Sequence, residues 1–169
     1  TGRNEKVGNW AGVTVEKKEH TLKKGYSSGE GEIIIVDLPG AYSMSPFTSE
    51  ESITSSYVKN ENPDVIINIV DATNLSRSLF FTTQLLELGI PTVVAINMLD
   101  VVEKRNDKID FQKLSQLLGC EVVGISALRG KNVSDLMTAI EKSVGKKAPS
   151  LDVFQGEVKN ALHSIALQL

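Results

Sequence analysis

A chain of 169 residues, 41% hydrophobic and 23% charged, has the make-up of one ordinary globular domain with a short extension, and lies outside the disordered, collagen-like and disulfide-dense classes. Its 18 Lys and Arg against 21 Asp and Glu leave a net charge of -3, which argues against a domain built to wrap nucleic acid. The single cysteine, Cys120, excludes an intrachain disulfide and a multi-cysteine zinc site and reads as a buried thiol in a reducing compartment.

The first residues, Thr1-Gly2-Arg3-Asn4-Glu5-Lys6, carry neither an initiator Met nor a signal-like apolar stretch, so the sequence reads as a cut inside a longer polypeptide. Residues 13–18 and 33–37 read as two strands joined across the Gly- and Ser-rich tip 25–31, an antiparallel hairpin. Thr48-Ser49-Glu50-Glu51 is a capping box: the Thr48 hydroxyl can accept from the Glu51 amide while Glu51 reaches back. A helix should start there, run to about residue 59 and stop at Asn62-Pro63. Residues 65–70 form an apolar strand interrupted only by Asn68, followed by a helix over about 76–88 that closes at Gly89, a residue suited to a left-handed C-cap. The next strand is 92–97. A polar stretch, 102–108, leads to a short helix, 111–118, closed by Gly119, and then to a last strand, 121–126. Asn132 can cap a final helix with Val133, Leu136, Met137, Ile140 and Val144 on its apolar face. No apolar run approaches the roughly 18 residues needed to cross a bilayer. Strand-length apolar segments alternating with amphipathic helices indicate the α/β class with a largely parallel sheet.

Residues 145–150 read as a linker. Beyond it Phe154, Val158, Ala161, Leu162, Ile165 and Leu169 follow helical spacing, so the tail is either a domain-closing helix or the first helix of a second domain.

Four short segments carry chemistry. Asp37-Leu38-Pro39-Gly40 follows an apolar strand, placing a carboxylate and a glycine at a strand's carboxyl end, where a phosphate-bound Mg2+ and a γ-phosphate could be met; alone it could be a simple turn. Asn97-Met98-Leu99-Asp100 ends another strand, and its aspartate can accept from the two donors of a guanine edge, a pair that adenine lacks. Met98 within it can give a base apolar cover without charge. Ser126-Ala127-Leu128 ends a further strand with small residues that admit backbone amides to a base oxygen, and Thr14 lies where a hydroxyl could complete Mg2+ coordination. Each has a bland alternative, a capped strand end or a strand threonine; the information is in their order.

In that order, and with Val7-Gly8-Asn9-Trp10-Ala11-Gly12-Val13-Thr14 and Ala41-Tyr42-Ser43-Met44-Ser45-Pro46 in place, the sequence resembles the Ras-like GTPase superfamily and, more narrowly, the N-terminal G domain of the bacterial ferrous iron transport protein B (FeoB) family. Val70-Asp71-Ala72-Thr73-Asn74-Leu75 also matches. The family begins with a strand and a phosphate loop, G-x-x-x-x-G-K-[ST]. No such pattern occurs here, because Gly130-Lys131-Asn132 and Gly145-Lys146-Lys147 lack the earlier glycine and the following Ser or Thr.

The resemblance therefore implies a Ras-like α/β fold, a mostly parallel sheet with flanking helices, whose first strand and phosphate loop are missing. That strand belongs between segments 33–37 and 65–70. Residues 1–147 would be the GTPase domain and 148–169 a linker and the first helix of a truncated helical domain. The implied function is a GTP-binding and GTP-hydrolysing module of a ferrous iron transporter, at the cytoplasmic face of the bacterial inner membrane, with the transmembrane domain of the same polypeptide as partner. It would use GTP and GDP with Mg2+ and also K+. By resemblance Thr14 and Asp37 serve Mg2+, Gly40 the γ-phosphate, and Asn97, Met98, Asp100, Ser126, Ala127 and Leu128 the guanine nucleotide. Ala41 and Tyr42 after Gly40 leave no glutamine to orient water, so the catalytic residues stay open. The missing loop keeps a second reading in view, a non-catalytic GTPase-like module acting through protein contacts. Trp10 could cover the nucleotide or pack locally, and His20 and His163 have no partner ligands nearby in sequence.

Overall fold

The computed structural model describes residues 5–9, 16–21 and 33–146. Among them the order is β1 (Glu5–Asn9), β2 (Glu16–Thr21), β3 (Ile34–Asp37), α1 (Ser49–Asn60), β4 (Ile66–Asp71), a 3-10 turn (Ala72–Asn74), α2 (Leu75–Glu87), β5 (Thr92–Asn97), α3 (Leu99–Lys104), α4 (Phe111–Leu118), β6 (Glu121–Gly124) and α5 (Val133–Ser143). The α/β class and the flanking helices are those the sequence predicts. Thr14, Trp10, the tip 25–31 and the tail beyond residue 146, including the anticipated helix, lie outside the described residues.

Residues 92–96 are buried without a break, as a strand covered on both faces of a parallel sheet must be. β5 pairs in parallel with β4 on one side and β6 on the other. Because strand side chains alternate between faces, Val94 and Ile96 join Val70, Leu86, Val102 and Leu118 on one face, while Val93 meets Met137, Ala139 and Ile140 of α5 on the other. Gly124 ends β6 beneath α4; a Cβ there would lie 2.5 Å from the Phe111 ring, so any larger residue would force that ring to shift. Burial beside Glu121 pushes the Cys120 thiol up to about 11, which leaves it protonated and unreactive at neutral pH.

The sheet is divided. β1, β2 and β3 form a separate antiparallel sheet, so the expected pairing of residues 33–37 with an earlier strand is present, but among the described residues β3 and β4 each pair on one side only. Ile34 on β3 is 60% exposed and Ile69 on β4 is 67% exposed. The two halves are joined through Leu38, Met44 and Val58, which pack with Ile66, Phe81 and Leu85. Among the described residues no helix is long and apolar enough to cross a membrane.

Several local features differ from the sequence expectation, each for a physical reason. β2 reaches Thr21, beyond the anticipated end at residue 18. β1 was not foreseen, since Val7 is the only large apolar residue in Glu-Lys-Val-Gly-Asn and one residue makes no alternation. α3 arises inside what reads as a charged loop, because Val102 alone turns inward. β6 stops at Gly124 rather than residue 126: Ser126 leaves the ladder to bridge Lys131. Asn132 occupies the N-cap position of α5 in a left-handed conformation without a side-chain cap; its amide donates instead to the Gly124 carbonyl at 2.8 Å. Val144 lies past the end of α5 and is exposed, while Ala139 and Ser143 share the buried face.

The one polar residue of the β4 run has a partner in the interior. Asn68 Nδ2 donates to Thr82 Oγ1 of α2 at 2.7 Å, and both residues are buried. Thr82→Val removes that acceptor and leaves a buried amide unpaired, a loss of about 1–3 kcal/mol. Urea denaturation should show this loss, and Asn68→Val added to Thr82→Val should recover much of it.

Candidate nucleotide site

Parallel pairing brings the carboxyl ends of the strands to one edge, with Asp71 opposite Asn97 and Ile96 opposite Gly124, the place where ligands of open α/β sheets bind. The chain leaves β5 through Met98, which takes a left-handed conformation at φ 67°, unusual for a residue with a Cβ and costing roughly 1–2 kcal/mol. That turn sets Asp100 in the first turn of α3, where the partial positive charge of the helix favours a carboxylate. Met98 itself stays exposed.

Asp100 meets the loop after β6. Its Oδ1 accepts from the Ser126 hydroxyl at 2.8 Å, and its Oδ2 lies 3.5 Å from Arg129 Nε. The Ser126 hydrogen bond, opposed by burial and aided by the α3 backbone, Arg129 and Lys104, holds the Asp100 carboxyl below its usual range. The group is therefore ionised at neutral pH. Ser126 is buried, while Ala127, whose amide donates to Asn97 Oδ1 at 3.0 Å, is exposed. Leu128 is 92% exposed. Asp100 with Ser126 and Asn97 with Ala127 thus form two hydrogen-bonded pairs between the same two chain segments, with Met98 and Leu128 presenting apolar side chains to solvent beside them.

Asp37 and Gly40 lie apart from this group. Asp37 ends β3 and is exposed. An added Cβ at Gly40 would meet nothing within 4 Å, so no packing within the described chain asks for glycine there. The segment that follows is strapped to α1. Glu51 Oε2 accepts from the Phe47 amide at 2.9 Å and Oε1 from the Tyr42 amide at 3.2 Å, which holds its carboxyl below the usual range. The Thr48 hydroxyl accepts from the Glu51 amide as the capping box predicts, but the strongest backward reach of Glu51 is to Phe47 and Tyr42 rather than to the cap itself. Thr54 Oγ1 donates to the Pro39 carbonyl at 2.7 Å, Gln84 Oε1 accepts from the Met44 amide at 2.8 Å, and Arg77 lies 4.4 Å from the Tyr42 ring centroid, a cation–π distance. Asp71 is engaged locally, accepting from the Thr73 amide and hydroxyl.

Sequence reasoning missed Arg129 and the second ion pair, Lys131 with Glu103. A basic residue on either side of Gly130 was the only available signal. Among the described residues no cluster of three or more His, Cys, Asp or Glu could hold a metal ion.

The divided α/β fold and the ordered strand-end segments define a Ras-like domain of the GTPase type. The chain belongs to the ferrous iron transport protein B family, whose family model matches residues 1–140. It is 41% identical over 170 residues to the Fe(2+) transporter FeoB of Escherichia coli, an alignment covering 98% of this chain and 22% of that protein. With the Fe(2+) transporter FeoB of Salmonella typhimurium the identity is 45% over 146 residues, 84% of this chain and 18% of that one. The chain thus spans about a fifth of the length of these relatives. The cytosolic domain of L. pneumophila FeoB matches with a TM-score of 0.88 at 39% identity, over 100% of this chain and 66% of that chain. The cytosolic domain of T. maritima FeoB in its GMPPNP form matches at 0.89 and 30%, over 99% and 65%, and in a GDP form at 0.86 and 30%, over 95% and 63%.

Because the Ser126 hydroxyl is the largest influence holding the Asp100 carboxyl down, Ser126→Ala should raise its pKa toward the ordinary aspartate value. Carboxyl-detected NMR titration measures this, and an unmoved Asp100 would show that the hydrogen bond does not govern its ionisation.

Proposed function

We propose that this chain is the guanine-nucleotide-binding G domain of a ferrous iron transporter, binding and hydrolysing GTP at the cytoplasmic face of the bacterial inner membrane and acting on a transmembrane domain of the same polypeptide. The observation that carries the reading is the ionised Asp100 carboxylate at the sheet's carboxyl edge, held by Ser126 beside an exposed Met98. A carboxylate there accepts from the ring N–H and the exocyclic amine of guanine together, a donor pair adenine does not offer. Asn97 positions the turn through the Ala127 amide, and Met98 and Leu128 supply apolar surface for the base. Relatives solved with GDP and in a GMPPNP form support the choice of ligand.

For Mg2+ the fit rests on Asp37, an exposed carboxylate at a strand end; Thr14, the other candidate, lies outside the described residues. Hard oxygen donors suit this ion, which keeps several waters and binds through one or two carboxylates plus phosphate oxygens, and so needs no larger acidic cluster. When bound it neutralises charge on the phosphates. Gly40, which nothing in the described chain requires to be glycine, would give its amide to the γ-phosphate, which a Cβ would obstruct. Ala41 and Tyr42 supply no carboxamide to orient water, so that task falls to backbone groups or to a bound cation, K+ by the family resemblance.

The phosphate cradle is a separate matter. None of the 169 residues forms the G-x-x-x-x-G-K-[ST] pattern, and among the described residues β3 and β4 each have an unpaired edge, with Ile34 and Ile69 exposed. A strand bearing that loop, placed between β3 and β4, would cover both edges and supply the amides and lysine that anchor a triphosphate. On this reading residues 1–147 are the G domain without that strand, residues 148–169 begin a helical domain, and nucleotide binding by the chain alone is impaired. A second reading is a non-catalytic GTPase-like module working through protein contacts. Coding sequence with an in-frame phosphate-loop pattern shortly before Thr1 would decide for the enzyme.

Two measurements test the proposal. In the full-length protein Asp100→Asn should weaken GTP binding at least about tenfold, since hydrogen bonds to a charged acceptor are lost, and should favour xanthosine triphosphate; unchanged GTP affinity would refute the base site. Calorimetric titration of the 169-residue chain with a non-hydrolysable GTP analogue and Mg2+ should show no micromolar binding, and micromolar binding would mean that another segment replaces the phosphate loop.

A further inference from the structure

We infer that Arg129 competes with the guanine edge for Asp100, and so sets how tightly and how selectively the site holds its base; this rests on the guanine reading above. Asp100 presents two oxygens to the site. Ser126 donates to Oδ1 at 2.8 Å and Arg129 Nε approaches Oδ2 at 3.5 Å. A guanine edge carries two parallel donors and needs both oxygens, whereas the guanidinium claims part of the lone-pair space on one of them. The base must share or displace it.

The pair can open from one side only. The Arg129 side chain is 58% exposed and that of Asp100 13%, so the cation can swing into water while the carboxylate stays fixed by Ser126 and by its place on α3. The loop does not need Arg129 to stay where it is. Glu103, three residues along the same helix, pairs with Lys131, the Ser126 and Lys131 backbones bridge, and Asn97 holds the Ala127 amide. Two ion pairs therefore lie side by side between α3 and the loop. Glu103 pairs with Lys131, and Asp100–Arg129 lies on the group that reads the base.

A largely exposed ion pair contributes little stability, so its removal should shift nucleotide affinity modestly, about two- to fivefold. The full-length protein and its Arg129→Gln, Arg129→Lys and Asp100→Asn variants would be titrated with GDP and with inosine diphosphate, whose base lacks the exocyclic amine. Arg129→Gln should tighten GDP by that factor and inosine diphosphate less, because the freed oxygen has no second donor to accept from. Arg129→Lys, which keeps a cation near the carboxylate, should stay close to the parent. Weaker GDP binding in Arg129→Gln would show that the arginine holds the nucleotide, and equal tightening of both ligands would show that it acts on loop placement; either overturns the inference. If Asp100→Asn leaves GDP affinity unchanged, the base site itself is wrong. If Asp100→Asn weakens GDP while Arg129→Gln leaves the ratio of the two affinities unaltered, only the role of Arg129 fails.

Discussion

The hydroxyl of Ser126, in the loop after β6, and the carboxylate of Asp100, in the first turn of the helix after β5, meet in a hydrogen bond that ties together the carboxyl ends of two neighbouring parallel strands. A carboxylate buried to this degree is costly unless its oxygens are satisfied. Ser126 supplies one partner and Arg129 the other. The strained turn at Met98 follows from the same requirement, since only a sharp left-handed step after β5 brings Asp100 back toward the loop after β6. The Leu99 amide then donates to the Ile125 carbonyl and the Ile125 amide to the Ile96 carbonyl, so the backbones knit together where the ladder ends. Asn97 completes the edge by taking the Ala127 amide.

Much of this was legible in the letters where a single residue type has few other uses. Gly119 closing α4, Gly89 following α2 and the Thr48 cap before α1 each announce a helix end, and all three stand where their chemistry puts them. The unbroken apolar run of β5 announced a buried central strand. Asn97, Asp100, Ser126 and Ala127 could be placed at strand ends by counting, and the structure pairs Asp100 with Ser126 and Asn97 with Ala127. Their roles toward a nucleotide come from resemblance and remain a proposal.

What was not legible depends on pairings that no local pattern encodes. Arg129 meets Asp100 only because the turn after Ser126 folds back on itself, with the Arg129 amide on the Ser126 carbonyl and the Gly130 amide on that of Ala127. Asn132 looks like a helix cap by residue type, yet the Gly124 carbonyl, left free where β6 ends, claims its amide. α3 is too short and too polar for periodicity to show it. The division of the sheet could be anticipated only from the family pattern, through the strand it leads one to expect between β3 and β4.

The segment from Pro39 to α1 is tied at both ends and in the middle. Thr54 holds the Pro39 carbonyl, Ser55 holds the Met44 carbonyl at 3.1 Å, and Glu51 gathers the Tyr42 and Phe47 amides. Gly40 itself sits in open space. A displacement of the Gly40 turn that keeps these bonds cannot be absorbed locally and must carry the helix with it. These bonds leave from Glu51, Thr54 and Ser55, in the first two turns of α1, so the turn after the Asp37 strand end and the start of that helix are fastened into one unit.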